Sequence, residues 1–263
     1  MTEKLPVTGL RKKIDDAGIL KGCFVKTPGP SSIEILGFTG FDFVVIDQEH
    51  SVFDRNTIDI ALLAAKAANI TAVVRIPPYS LDAVQAALDG GALGILAPHI
   101  DTAEQANALV DACRYRGGSR GFSSVTRAGR YGEHNILDHT VNSDASIAVI
   151  AMIESSSAVD NINEIVDVEG LDAIFIGRGD LTVALGAQSR DHPDVLAAID
   201  KIIAAAKASG KAIWVMASNI NETRQLAKQG ATAFVISSDQ ALLRKASLEV
   251  VEQFNLSFAL SEQ

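Results

Sequence analysis

Cysteine is scarce in this chain: 263 residues carry only Cys23 and Cys113. Two thiols so far apart cannot build a disulfide framework and lack the spacing of a zinc pair, so they read as small buried apolar residues in a reducing compartment. Basic charge is also short. Lys and Arg number 23 against 32 Asp and Glu, a net charge of −9, which argues against binding a phosphate backbone or an anionic membrane through clustered cations. No stretch approaches the ~20 apolar residues of a membrane span, and the opening MTEKLPVTGLRKKIDDAG has no apolar leader core. The expectation is a cytoplasmic protein with neither nucleic acid nor membrane as a partner. Linkers and low-complexity segments are missing too, so residues 1–263 are expected to form one domain. With 48% hydrophobic residues, the chain can enclose a sizeable core, and its length is ordinary for a single α/β barrel.

What is present is a repeated pattern of short apolar runs that end in polar residues. The clearest is Phe41 to His50, FDFVVIDQEH. Phe, Val and Ile in an unbroken run suit a strand buried on both faces, which tolerates Asp47, Glu49 and His50 only at its tip. Similar runs fall at Gly22 to Lys26, Phe41 to Asp47, Ala72 to Ile76, Leu93 to Ala97, Ile147 to Ile153, Ala173 to Gly177, Ala212 to Met216 and Ala233 to Ser237. Ala-rich helical stretches alternate with them, among them Thr57 to Ala68, Leu81 to Leu88, Ala103 to Cys113, Asp194 to Ala208 and Glu222 to Lys228. Eight such alternations predict a closed parallel (β/α)8 TIM barrel. A doubly wound open sheet competes, but it wants a G-x-G-x-x-G turn after its first strand, and Lys26-Thr27-Pro28-Gly29-Pro30 does not supply one. The connection from Arg114 to Ser146 is longer than usual and is expected to cover the site. The stretch Arg190-Asp191-His192-Pro193 reads as an ordinary helix start without chemistry.

A barrel of this kind builds its active site at the carboxyl ends of the strands. The residues collected there are His50, Arg75, Glu154 and Asp180. Glu154 and Asp180 follow neighbouring strands, and two carboxylates with waters and substrate oxygens suit a hard octahedral cation such as Mg²⁺ or Mn²⁺; they would equally serve as caps of the following helices. His50 offers a side chain that exchanges protons near neutrality, as a general base or as a structural histidine. Asp89, just before the fourth strand, is placed to reach His50 and stabilise its protonated form. Arg75 would meet a carboxylate or developing oxyanion, or simply pair with Asp47. Arg114, Arg116, Arg120, Arg127 and Arg130 in the long connection would recruit an anionic substrate or pair across a subunit contact. No Lys except Lys26 ends a central strand, which argues against a Schiff-base mechanism.

The segments FDFVVIDQEHS, VVRIP, LDGGALGILAPHI, RYRGGSRGFSSVTRAGRYG, IESSSAVDNINEI, GLDAIFIGRGDLTVALG and GATAFVISSDQALLR occur in an order that resembles the HpcH/HpaI family of class II pyruvate aldolases. Within that family the chain is similar to the 2-dehydro-3-deoxyglucarate aldolases. The resemblance implies a divalent metal, Mg²⁺ or Mn²⁺ with Co²⁺ a further candidate, on Glu154 and Asp180. It implies His50 as the base with Asp89 as its partner, Arg75 stabilising the transition state, and Gly179 and Asp180 holding a pyruvate carboxylate. The implied reaction is cleavage or formation of a 4-hydroxy-2-keto acid, giving pyruvate and an aldehyde through an enolate held on the metal. A homo-hexamer with C-terminal helices exchanged between subunits is also implied, and the apolar tail VVEQFNLSFAL suits it.

The chain departs from the family pattern at informative places. Met152 stands where members usually carry Gln near the substrate, Arg178 replaces the Pro of G-P-x-D-L, and Arg116-Gly117 replaces Pro-Pro. These changes leave the metal ligands and base in place but bear on the acceptor. They admit an alternative, a Claisen-type synthase or lyase that uses oxaloacetate or an acyl-CoA at the same enolate site.

Overall fold

The computed structural model describes residues 9–16, 18–78 and 80–259. The first eight residues, part of the stretch expected to lack a leader, and Leu260 at the end of the apolar tail lie outside the described residues. Eight strands, Leu20–Val25 (β1), Phe43–Asp47 (β2), Thr71–Arg75 (β3), Gly94–Ala97 (β4), Ala148–Ile153 (β5), Ala173–Ile176 (β6), Ala212–Met216 (β7) and Ala233–Ser238 (β8), pair in chain order and close on themselves. Every pairing is parallel. The expected barrel is what forms, with strand limits within two residues of those read from the apolar runs.

The closed sheet separates two cores. Inside it, Phe24, Phe43, Val45, Val73, Leu96, Ile150, Met152, Phe175 and Trp214 pack together, with Leu10 of the short helix Leu10–Asp15 closing the amino end. Leu10 comes so close that a Cβ on Gly94 would lie 2.8 Å from its Cδ2, which makes that β4 position a glycine by contact. Outside, the other faces of the strands meet the apolar stripes of the helices, such as Ile58, Ala61, Leu62 and Ala65 of Arg55–Ala67. Burial on both faces is why these strands are continuous apolar runs rather than alternating ones. Side-chain caps start the helices at the top of the barrel. Asp54 and Thr102 each accept the N–H three residues on, reciprocated by Thr57 and Gln105.

The long connection does not cover the strand carboxyl ends. It joins the helix Ala103–Cys113 to β5, and a link from a helix to the next strand lies at the amino end of the barrel. Much of it is ordered, with the helix Ile136–Ser146 before β5. Three of its arginines are engaged within the chain. Arg114 donates to the carbonyls of Ile147 and Gly170 and pairs with Asp172 at 3.2 Å, while Arg127 pairs with Asp59 at 2.8 Å. Arg120 holds Asp89 at 3.1 Å and lies 4.1 Å over the Tyr115 ring.

Both cysteines are buried and free, and burial pushes each thiol up to about 12, as expected of inert apolar residues. Among the described residues no helix is long and apolar enough to cross a membrane.

Candidate active site at the carboxyl end of the barrel

Parallel register brings the polar tips together. Asp47 at the end of β2 faces Arg75 at the end of β3 directly across the ladder. Arg75 Nε donates to Asp47 Oδ1 at 2.9 Å and Nη2 to Oδ2 at 2.7 Å, while Nη1 reaches Glu49 at 3.2 Å. Lys26, following β1, adds a contact of 3.2 Å to Asp47. Burial alone would push the Asp47 carboxyl up, but the Arg75 fork, the His50 N–H and Lys26 outweigh it and hold it below its ordinary range. The fork fixes the Arg75 guanidinium in one orientation. Its Asp47 partner is the ion pair that the sequence left open, and Arg75 lines the cavity at the same time.

On the opposite side, Ile153 of β5 is in register with Ile176 of β6, so Glu154 and Gly177 emerge side by side. A Cβ on Gly177 would lie 2.6 Å from Glu154 Cβ and 2.8 Å from its Oε2, so only glycine leaves room for this carboxylate. The chain then turns into the short helix Arg178–Ala184, which carries Asp180 in its first turn. Burial, with the charges of Asp180 and Glu49 nearby, raises the Glu154 carboxyl above its ordinary value against the pull of a hydrogen bond from His99. Two carboxylates near enough for the charge of one to act on the other are hard-oxygen donors of the kind a divalent cation takes. Among the described residues no group of three or more His, Cys, Asp or Glu is assembled for a metal, so substrate and water oxygens would have to complete the shell. Glu154 and Asp180 fit such an ion on these terms.

Two residues that sequence reasoning passed over belong here. His99 follows β4 and adopts a left-handed φ of 55°, rare for a residue with a side chain. Its backbone N–H donates to Glu154 Oε1 at 2.8 Å, and its ring stands between Glu154 at 3.4 Å and Glu49 at 3.5 Å. The signal was its place directly after a strand in LAPHI. Arg190, in the stretch read as free of chemistry, lines the same cavity.

One expected contact is not made. Asp89 occupies the last turns of the helix Leu81–Gly90, which leads to the amino end of β4, whereas His50 follows the carboxyl end of β2. Helices run antiparallel to the strands, so the two stand toward opposite ends of the layer. Within the chain Asp89 binds Arg120, and the exposed His50 ring lies 3.7 Å from Glu49 instead.

These tips enclose a cavity of about 230 Å³ lined by Lys26, Arg75, Arg178, Gly179, Asp180 and Arg190, with Phe24, Met152, Phe175 and Met216 as its apolar floor. Met152 is therefore a wall residue of the site. A larger groove of about 800 Å³ runs outside the barrel between the helices Arg55–Ala67 and Leu81–Gly90, and is lined by Gln48 after β2 and by Arg127 and Tyr131 of the long connection.

Comparison with known proteins matches residues 20–246 to the HpcH/HpaI aldolase/citrate lyase family. The 5-keto-4-deoxy-D-glucarate aldolase of Escherichia fergusonii is 37% identical over 235 residues, covering 89% of this chain and 91% of that protein. Among solved structures, an HpcH/HpaI aldolase/citrate lyase family protein from Burkholderia cenocepacia superposes with a TM-score of 0.88 at 30% identity, covering 94% of this chain and 98% of that one. The citrate synthase SbnG superposes with a TM-score of 0.85 at 29% identity, covering 94% and 98%.

Proposed function

The chain belongs to the HpcH/HpaI aldolase/citrate lyase family, and from that premise we propose that it is a divalent-metal-dependent aldolase. The reaction joins or separates pyruvate and an aldehyde across the C3–C4 bond of a 4-hydroxy-2-keto acid. The observation that carries this reading is the placement of Glu154 directly after β5 and of Asp180 in the first turn of the helix after the neighbouring β6, with Asp180 and the fixed cation Arg75 both lining the 230 Å³ cavity. Glu154 and Asp180 would hold Mg²⁺ or Mn²⁺, which supplies Lewis acidity to the keto group and stabilises charge left by the departing carbon.

The chain's own residues then have defined tasks. Arg75, immobilised by Asp47 and Glu49, presents a permanent positive charge to the oxygen that becomes negative as the bond breaks, without having to reorganise. His50, exposed at the rim beside Glu49, takes the proton from the C4 hydroxyl, the C3–C4 electron pair passes to the pyruvate fragment as its enolate, and the aldehyde leaves. His99 keeps Glu154 oriented through its N–H. Gly179 and Asp180 line the cavity where a keto-acid carboxylate would lie, and Met152 presents a thioether where an amide would offer hydrogen bonds.

The test is pyruvate release from a racemic 4-hydroxy-2-keto acid by protein stripped with a chelator and then supplied with Mg²⁺ or Mn²⁺. Metal-restored pyruvate is expected. A Claisen-type synthase or lyase is the second reading, favoured by the likeness to SbnG and by Met152 and Arg178. No pyruvate, with thiol release from acetyl-CoA and oxaloacetate instead, would establish it.

The last helix supports a reading of the assembly. Asp239–Ala259 is anchored at its start, where Asp239 accepts the N–H groups of Lys26 and Thr27 at 2.9 and 3.0 Å, and its main contacts are with β1 and β8. Beyond that, Leu243, Val250, Phe254, Leu256 and Phe258 are each about 60–70% exposed. An apolar helix standing off its own barrel supports exchange with a neighbouring subunit, in a homo-hexamer. Light scattering should return six chains, and a monomer in solution would refute it.

A further inference from the structure

A separate cavity of about 360 Å³ opens toward the amino end of the barrel. Ile70, Leu93 and Ile147, which lead into β3, β4 and β5, line it beside Leu62 and Leu88 of the flanking helices and give it an apolar floor. Its rim is cationic. Lys66, Arg127, Arg130, His134 and His139 line it, and no Asp or Glu is among its described lining residues, in a chain of net charge −9. Arg127 is taken up by Asp59 at 2.8 Å and by the Gly90 carbonyl. Two cations are left over. Lys66 Nζ has no partner among the described residues, and the Arg130 guanidinium meets Glu133 at 3.6 Å, with both side chains largely exposed. His139 is buried, its Nε2 lying 3.3 Å from the Tyr115 hydroxyl and its ring packed against Phe122 and His134. At the rim, Arg130 and Tyr131 hold successive left-handed φ values of 50° and 56°, a strained pair of the kind found at ligand clamps. A concave, mostly apolar pocket with a few polar groups is the form that small-molecule sites take.

We propose that this cavity binds a small organic anion, a carboxylate carried on a medium-length apolar body, with Lys66 and Arg130 on the head and the apolar floor under the body. The proposal is independent of the aldolase reading, since none of the residues assigned to that reaction lines this cavity. The two cations come from separate segments, Lys66 from the last turn of the helix Arg55–Ala67 and Arg130 from the long connection. Asn142 and Ser143 of the helix Ile136–Ser146 add hydrogen-bonding groups beside them. A carboxylate fits better than a phosphate. Two negative charges would lose more hydration against the apolar floor, and the planar Arg130 fork matches one carboxylate. A neutral ligand would leave both cations unmatched.

The test is calorimetric titration of the full chain with octanoate, which should return one site per chain. Octanamide, with the same body and no charge, should bind about 10- to 100-fold more weakly, the worth of a hydrogen bond to a charged group. Acetate should bind more weakly still, because each buried methylene is worth about fourfold. Lys66→Gln combined with Arg130→Gln changes two exposed side chains, so the fold has no reason to give way. The double variant should bring octanoate down to the affinity of octanamide and leave octanamide unchanged. A diazirine analogue of octanoate fixes the place: on illumination it should label residues 127–147, and saturating pyruvate with Mn²⁺ should leave that labelling intact. Displacement by pyruvate with Mn²⁺, or labelling at the strand tips, would put the anion in the catalytic cavity and overturn the proposal. So would the absence of saturable binding, equal affinity for octanoate and octanamide, or an unchanged octanoate affinity in the double variant.

Discussion

Replacing Glu154 by Gln is expected to lower pyruvate release about a thousandfold or more while leaving the barrel intact. The substitution removes one of two carboxylate donors, and Lewis-acid stabilisation is worth several kcal/mol, where each 1.36 kcal/mol is about tenfold in rate. Gln retains an oxygen for the His99 N–H, which now reaches Glu154 Oε1 at 2.8 Å, so the local fold has no reason to give way. The electrostatics sharpen the prediction. Burial first, then Asp180 and Glu49, raise the Glu154 carboxyl above its ordinary 4.5. A carboxyl whose folded value is raised contributes stability that is fully present below the unfolded value and is lost as pH rises through the folded one. At neutral pH the ionised group therefore destabilises the metal-free protein. Metal-free Glu154→Gln should then melt at the wild-type temperature or above it at pH 7, while the rise produced by Mn²⁺ with pyruvate disappears. The same linkage makes wild-type metal affinity fall as pH is lowered toward the raised value, because proton and cation compete for one oxygen pair. Thermal melts with and without Mn²⁺ decide it; a full metal-dependent rise in the variant would remove Glu154 from the metal site.

Arg75→Met should be among the most damaging substitutions to the fold as well as to the reaction. Asp47 is completely buried and depends on the Arg75 fork, and Glu49 shares the same guanidinium. Removing it leaves two acids at the barrel mouth with Lys26 as the remaining fixed cation on Asp47, a loss of about 3–5 kcal/mol, or about 10 °C in Tm for a chain of this size. Adding Asp47→Asn to Arg75→Met should recover part of that loss, since the uncompensated buried charge is gone; strict additivity in the cycle would show that the pair is not coupled. The pH profile has a definite sign. Because the Asp47 carboxyl is held below its ordinary 3.8 in the folded chain, its contribution is present above the unfolded value and is lost as pH falls through the folded one. The gap between wild type and Arg75→Met should therefore be full near neutrality and close below about pH 4. A gap that stays constant into acid would mean the loss is one of packing, not of charge.

Several features of the site were legible because they depend on local pattern. An apolar run that ends in FVVID-QEH, AMI-E or IFI-GRGD announces both a strand and its polar tip, and in a closed parallel barrel all such tips lie at one end. That logic puts His50, Arg75, Glu154 and Asp180 at the carboxyl end of the barrel, where the structure has them, and it applies equally to His99 after β4, where a histidine one residue beyond Pro98 was passed over. Arg190 escaped because its segment looks like any helix start, and its proximity to Gly179 depends on how that segment lies against the helix Arg178–Ala184. The long connection misled through its length. Three of its arginines, Arg114, Arg120 and Arg127, are held within the chain by Asp172, Asp89, Asp59 and backbone carbonyls.

The amino-acid sequence by itself determined the barrel, the order of its strands and the polar residues at their tips, since hydrophobic period and strand-end polarity are encoded residue by residue. Tertiary structure alone decided the partners: Arg75 with Asp47 and Glu49, His99 with Glu154, Asp89 with Arg120 rather than His50, and Arg190 at the cavity. Those pairings depend on which strand positions stand in register and on which end of the barrel each helix turn reaches. Both are distances through space between residues remote in the chain, fixed only when the sheet closes.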